Sequence, residues 1–252
     1  VTSAGLALVT GSCRRLGAHI AATLAAAEYD VALHASRDPK PDAWAIAAIE
    51  AAGVAWHGFA CDLNDFSAVE RLVPAVAAHF GRRVDVLVNN ASLFDAGDGK
   101  LPDAAALVAH YRVNVAAPIA LATALAEQGG RAVVNILDQR IARPHRDQLA
   151  YTLSKQALAE ATRTLAAVLS PLVRVNAVAP GLTLPTVDYT PAQLDALAAM
   201  MPLRHLPSPQ AIADAVRFLV DAESSTGQTL YVDGGAAQTC FARDFVHLGR
   251  DD

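Results

Sequence analysis

Short apolar runs alternate along this chain with longer stretches in which Ala, Leu and Val recur every three or four positions. The runs 4–9, 31–35, 84–88, 131–137, 173–178 and 229–232 are rich in Val, Leu and Ile and read as strands, the one over 131–137 as a buried strand. The stretch 54–60 alternates only weakly and reads as a further strand. Between them, 18–27, 41–51, 67–80, 101–128, 149–169 and 209–220 carry the helical period. A proline-punctuated excursion over 184–206 holds one short helical pattern, 191–200. The strand–helix alternation predicts right-handed crossovers joining parallel strands. The expected fold class is α/β, one domain over 1–252, a doubly wound parallel sheet of about seven strands with helices on both faces. The tail 236–252 has no clear period and reads as a loose terminus or a subunit contact.

In such sheets ligands bind beyond the carboxyl ends of the strands, and polar residues gather at those ends here. After the first strand comes Thr10-Gly11-Ser12-Cys13-Arg14-Arg15-Leu16-Gly17 and then a helix start. A glycine-bearing turn at a helix N-terminus presents free N–H groups and a favourable dipole to a pyrophosphate, which makes the sheet Rossmann-type. The second strand ends at Ser36-Arg37. An acidic residue there would select a free ribose hydroxyl; serine and arginine instead suit a 2′-phosphate and predict NADP(H). Asp38, next in the chain, could pair with that arginine. Asp62 at the third strand end, followed by Leu63, could accept from an adenine amino group or cap the next helix. The fourth strand runs into Asn90-Ala91-Ser92-Leu93-Phe94, and the sixth into Pro180-Gly181-Leu182.

The fifth strand ends at Asp138, thirteen residues before Tyr151. Tyr151 and Lys155 lie four apart at the start of a long helical pattern, which places them on one face. A phenol beside an ammonium is stabilised as phenolate, so the tyrosine pKa is expected to fall toward neutrality. Such a residue exchanges protons at working pH, and Asp138 could orient or recharge it. Asn114, inside the helical stretch 101–128, could tie that helix to a neighbouring strand or hold a water in a proton relay.

Composition narrows the classes. The chain has 252 residues, 53% of them hydrophobic, 18% charged, with net charge −5. That suffices for one full core and lacks the basic footprint of a nucleic-acid binder. No apolar run reaches the roughly 18 residues of a membrane span, so no membrane association is expected. No signal peptide is expected either. Three scattered cysteines, Cys13, Cys61 and Cys240, suit a reduced cytoplasmic protein without a disulfide frame or a metal site.

Taken together, Thr10-Gly11 through Gly17, Asn89-Asn90-Ala91, Asn114, Tyr151 with Lys155, Pro180-Gly181 and Asp233-Gly234-Gly235 resemble the short-chain dehydrogenase/reductase family. The resemblance covers residues 6 to about 235. Three departures from the common pattern stand out. Asp138 replaces a serine, Arg15 a glycine, and Ser92 a glycine after Asn90-Ala91. With Phe94 two positions on and Leu182-Thr183 after Gly181, these resemble the pteridine reductases, including dihydromonapterin reductase-like members.

The resemblance implies NADPH-dependent reduction of a dihydropterin or dihydrofolate. It implies cofactor contacts along Gly11, Arg14, Arg15, Leu16 and Gly17, at Ser36, Arg37, Asp62 and Leu63, at Asn90, Ala91 and Ser92, and at Lys155, Pro180 and Gly181. It implies a substrate site of Arg15, Ser92, Phe94, Asp138, Tyr151 and Leu182, with Phe94 stacked on the pterin; the proline-punctuated residues 183–206 read, from the sequence itself, as a lid over a pocket or as an irregular surface excursion. Asp138, Tyr151, Lys155 and Asn114 form the implied catalytic set. A homotetramer through 101–128 and 149–169 is implied as well. A carboxyl suits this chemistry, since reducing a C=N bond requires a proton at nitrogen. A carbonyl or 3-oxoacyl reductase, or a silent nucleotide-binding protein, are the alternatives.

Overall fold

The computed structural model describes residues 3–94, 101–185 and 189–250. Positions 186–188 of the expected lid and 251–252 of the tail lie outside the described residues. Seven strands form one sheet: β1 (Gly5–Val9), β2 (Tyr29–Ala35), β3 (Trp56–Ala60), β4 (Val86–Asn89), β5 (Ala132–Ile136), β6 (Arg174–Pro180) and β7 (Thr229–Val232). Their order is β3-β2-β1-β4-β5-β6-β7, and every pairing is parallel. The connecting helices are α1 (Arg15–Ala26), α2 (Ala43–Ala51), α3 (Phe66–Phe80), α4 (Ala104–Tyr111), α5 (Ala117–Glu127), α6 (Leu149–Leu169), α7 (Pro191–Met200) and α8 (Pro209–Asp221).

Successive strand side chains point to opposite faces, and helices cover both. Ala7 and Val9 of β1 pack with Ile20 and Leu24 of α1 and with Val216 and Leu219 of α8. Leu6 and Leu8 pack with Leu72 and Val73 of α3 and with Leu121 and Leu125 of α5. Burial on both faces is why the inner strands read as continuous apolar runs rather than as alternation, whereas the edge strands β3 and β7 are only partly buried.

The expected helix over 101–128 is two helices, α4 and α5, joined by a π-helical turn at Arg112–Ala116. The stretch Ala104–Glu127 is long and apolar enough to cross a membrane by length and composition. In this fold it serves the sheet: Ala117, Leu121, Ala122 and Leu125 are fully buried in the core, while His110, Arg112 and Asn114 break its apolar run.

Two expectations need correction. The cap of α3 is Asp65, whose carboxylate accepts from the backbone of Ser67 and Ala68; exposed Asp62 accepts from Asn64 N at 2.9 Å instead. The tail is not loose. Ala236 and Phe245 pack with Leu197 and Met201, and Leu182 and Leu248 lie against that cluster, binding the tail to α7. Gln193 of α7 places its amide nitrogen within 3.2 Å of the carbonyls of Phe245, Val246 and Leu248.

The chain leaves β1 toward β2 and β3 on one side, then returns to place β4 on the other. Loops leaving β1 and β4 therefore diverge and open a crevice at the carboxyl edge. The cleft described next lies there.

Candidate active site

The glycine turn is built from the sequence outward. Gly11 has φ +62, a left-handed conformation that glycine adopts without strain, and a Cβ there would meet Ala91 Cα at 2.9 Å. Asn90 locks the turn across the crevice, its amide donating to the carbonyls of Thr10 at 2.9 Å and Gly11 at 3.0 Å. From below, the Gly11 N–H donates to His34 Nδ1 at 3.0 Å, while His34 Nε2 sits 2.8 Å from the Cys61 carbonyl. Burial depresses the His34 pKa, so the neutral ring can accept on one side and donate on the other.

Gly17 supplies close approach. A Cβ there would lie 2.2 Å from the Gly11 carbonyl oxygen and 2.6 Å from Asn90 Nδ2. Alanine normally stabilises a helix interior by about 1 kcal/mol over glycine. Overpacking against backbone costs about 1–3 kcal/mol and prevails here. Gly17→Ala is therefore expected to lower the melting temperature and to weaken nucleotide binding together. Unchanged melting and unchanged binding by titration would contradict the assignment.

Arg15 stands in the left-handed region, φ 52, where a side chain is strained by about 1 kcal/mol or more. Its guanidinium crosses the cleft to the Leu184 carbonyl at 2.8 Å. At the far end of the crevice Ser36 and Arg37 are exposed at the tip of β2.

The cleft has a volume of about 640 Å³ and brings together many of the expected residues: Arg15, Leu16, Asn90, Ser92, Phe94, Asp138, Tyr151, Lys155, Pro180, Gly181 and Leu182 line it. Gly11, Arg14, Gly17, Ser36, Arg37, Asp62, Leu63, Ala91 and Asn114 do not line this cleft. Gly11, Gly17 and Ala91 support its edge, and Ser36, Arg37 and Asp62 follow the ends of β2 and β3.

Tyr151 donates from its hydroxyl to Asp138 Oδ2 at 3.1 Å. The exposed Phe94 ring meets the Tyr151 ring edge-on, centroids 4.9 Å apart. The other carboxylate oxygen, Asp138 Oδ1, accepts from Arg140 N at 2.9 Å and Arg140 Nε at 3.2 Å. Thus the carboxylate faces the cleft with one oxygen and is ion-paired through the other. In this arrangement both oxygens accept, and the contact to Tyr151 orients the phenol.

Lys155 corrects the expectation about the phenol. Its ammonium is buried and donates to the Ile136 carbonyl at 2.8 Å, and Nζ is 5.7 Å from the centre of the Tyr151 ring. The cation nearest the phenol ring is Arg140, 5.0 Å from its centroid. Burial first, then the Asp138 charge, push the Tyr151 pKa well above its ordinary value, and Arg140 offsets this only in part. The phenol is thus held protonated rather than brought toward neutrality. Burial also lowers the Lys155 pKa to about 8, with Asp138 opposing.

Asn114 is a positioning residue. Its oxygen accepts from Leu93 N at 2.7 Å and Ser92 Oγ at 3.2 Å, and its amide donates to the Leu93 carbonyl and Ser154 Oγ, both at 2.9 Å. All four hydrogen-bonding positions are filled, so the side chain ties α4–α5 to the loop after β4 and to α6, and leaves no place for a relay water.

Arg140, Gln148 and Asp244 were missed by sequence reasoning. Arg140 Nη1 donates to Gln148 Oε1 at 2.9 Å and Nη2 to Asp244 Oδ2 at 2.8 Å. Asp138-Gln139-Arg140 was a usable signal, an acid and a base two apart at a strand end. Asp244, in a tail without period, offered none. Among the described residues no cluster of metal-ligating side chains occurs.

A family model described as enoyl-(acyl carrier protein) reductase matches residues 11–237. The chain is 34% identical to a ketoacyl reductase of the granaticin polyketide synthase of Streptomyces violaceoruber, over 92% of this chain and 96% of that protein. It is 32% identical to pteridine reductase 1 of Leishmania tarentolae, over 94% and 98% respectively. Among solved structures it resembles FolM alternative dihydrofolate reductase 1 of Brucella canis, complexed with NADP. That similarity has a TM-score of 0.85 and 34% identity, covering 94% of this chain and 95% of the other.

Proposed function

The chain belongs to the short-chain dehydrogenase/reductase family, and within it we propose an NADPH-dependent pteridine reductase that takes a dihydropterin or dihydrofolate to its tetrahydro form. The coarser statement, an NAD(P)-dependent oxidoreductase of this family, follows from membership. The observation that carries the finer one is the Asp138 carboxylate 3.1 Å from the Tyr151 hydroxyl, inside the cleft, with an exposed Phe94 ring edge-on to that tyrosine.

The residues present fit NADP(H). The turn at Gly11 to Gly17 has the close packing and free helix N-terminus that a pyrophosphate needs. Ser36 and Arg37 provide donors for a 2′-phosphate. Lys155 spends one of three donors on Ile136, leaving two for ribose hydroxyls. Bound there, NADPH supplies the hydride. Tyr151 gives its proton to the ring nitrogen next to the carbon being reduced, so that C=N becomes CH–NH. The raised pKa keeps the phenol protonated at neutral pH but weakens it as an acid, so the Arg140 charge beside the ring has to favour its ionisation during transfer. Asp138 Oδ2 holds the hydroxyl in place between turnovers, and the O–H turns from it to the substrate nitrogen as the proton is delivered. Phe94 offers one face for a flat heterocycle, and Arg15, bonded to the Leu184 carbonyl, forms another part of the cleft wall.

NADPH oxidation with dihydrobiopterin, dihydromonapterin and dihydrofolate, beside a simple ketone and a 3-oxoacyl thioester, tests the reading. Turnover of the carbonyls alone sinks it. The similarity to a ketoacyl reductase favours that carbonyl reading as second choice, and Asp138→Ser separates the two. Loss of pterin reduction by about tenfold or more is expected, because the serine hydroxyl cannot carry the carboxylate charge. Improved ketone reduction with no loss on pterins would support the rival.

The proposal includes a homotetramer through α4 and α6. Leu107, Val108 and Tyr111 of α4 and Leu153 of α6 are exposed, and they line one apolar groove with Phe66. Light scattering of the purified chain reads the assembly directly.

A further inference from the structure

We infer that Asp244, carried by the C-terminal segment, is a positioning residue for catalysis: through Arg140 it sets how Asp138 is shared between the ion pair and Tyr151. This rests on the role given to Asp138 above.

Arg140 is buried, and its guanidinium has three claimants. Nε goes to Asp138, Nη1 to Gln148 and Nη2 to Asp244, all within 3.2 Å. A single positive charge is thereby divided between two carboxylates. With Asp244 present, Arg140 meets Asp138 through Nε and its backbone N–H on one oxygen, and the other oxygen stays with Tyr151. Without the Asp244 charge, the fork is free to engage Asp138 with two nitrogens, the geometry that arginine prefers. Both Asp138 oxygens would then turn from the phenol.

Asp244 is held for this task. Its Oδ1 accepts from Val246 N at 2.9 Å, capping the short turn Phe245–His247. Its backbone N–H donates to Asp147 Oδ2 at 2.8 Å, and Arg243 Nε meets both Asp147 oxygens at 3.1 and 2.8 Å. His145 completes the surroundings, 3.8 Å from Asp244 and 4.0 Å from Asp147. Burial, then Arg140, keep the His145 pKa below its ordinary value, so it adds no second cation at neutral pH. Anchoring a tail does not call for this arrangement, because packed apolar side chains serve at least as well as a buried ion pair. The apolar contacts of Phe245 already do that work. The same segment lines the substrate cleft through Phe245 and Val246, so whatever seats there rests against the element that bears Asp244.

The test uses the full chain with Asp244→Asn, Arg140→Met and the double variant. Two readouts are followed: kcat with the substrate that turns over, and the ultraviolet titration of Tyr151, isolated by difference from Tyr151→Phe. Asp244→Asn is expected to lower kcat about tenfold, as misorientation at a reacting group does, with KM changed less than about twofold. The Tyr151 titration moves to lower pH. In the Arg140→Met background the same substitution should have less than half these effects, because its route is gone. Asp244→Glu should recover part of kcat. Wild-type kcat and titration in folded Asp244→Asn, or effects that simply add to those of Arg140→Met, overturn the inference. If Asp244→Asn does not fold, Asp244→Ser, which also removes the charge but keeps a capping oxygen for Val246 N, is read in its place, and unchanged kcat and titration overturn it equally. The titration needs no substrate. A coupled shift without pterin turnover therefore sinks the pteridine reading and leaves the positioning role standing.

Discussion

Replacing Tyr151 with Phe is expected to reduce turnover by about 10³-fold, within the range that a positioned general acid contributes, while NADPH affinity stays within about twofold. The hydroxyl makes one contact, to Asp138 Oδ2. The ring makes others that phenylalanine keeps, edge-on to Phe94 and under the Arg140 guanidinium. Loss of the hydroxyl leaves one Asp138 oxygen without its donor, but that carboxylate is still 19% exposed and water can serve it. Stability should therefore move by no more than about 1 kcal/mol. The effect falls on kcat because the proton is needed only as the C=N bond is reduced. Single-turnover rates and nucleotide titration check both halves. A variant that keeps more than a tenth of wild-type kcat would remove Tyr151 as the proton donor.

That prediction was open to the sequence; its electrostatics were not. Tyr151, Lys155 and Asp138 could be picked out because a helical spacing and a strand end place them locally. The sheet was open for the same reason: strands buried on both faces are written as unbroken Val/Leu/Ile runs. What escaped depends on tertiary approach. A four-residue spacing puts Lys155 on the face of Tyr151, but a flexible stem lets the ammonium turn to the Ile136 carbonyl. The cation on the phenol ring is Arg140, held by Asp244, 104 residues later in the chain. Asp62 and Asp65 are equally good capping residues by type. Backbone geometry decided for Asp65, whose φ −96 and ψ 98 are extended as a cap requires. Asn114 drew notice as a buried polar residue, and only its four partners show that it has no valence left to give.

Lys155→Met is the other large effect, and it should act in opposite directions on activity and stability. At neutral pH the folded chain holds an ammonium out of water. Its pKa of about 8 in place of 10.5 corresponds to a penalty of roughly 3 kcal/mol. Methionine fills a similar volume without charge. It forfeits the bond to the Ile136 carbonyl, and an unsatisfied buried acceptor costs about 1–3 kcal/mol. The balance at pH 7 favours the variant by about 1 kcal/mol or slightly more. The sign with pH follows from proton binding. Between pH 8 and 10.5 the unfolded lysine binds more protons than the folded one, so wild-type stability rises across that window. The penalty is complete below pH 8 and gone above 10.5. The variant should therefore melt higher than wild type at pH 7 and lower at pH 10.5, with the curves crossing between. Activity falls about 10²-fold or more, since the donors left for the ribose go with the ammonium. Melting curves at the two pH values decide the matter. A variant less stable than wild type at both would mean that the buried ammonium is compensated, and that its pKa is not held down by burial.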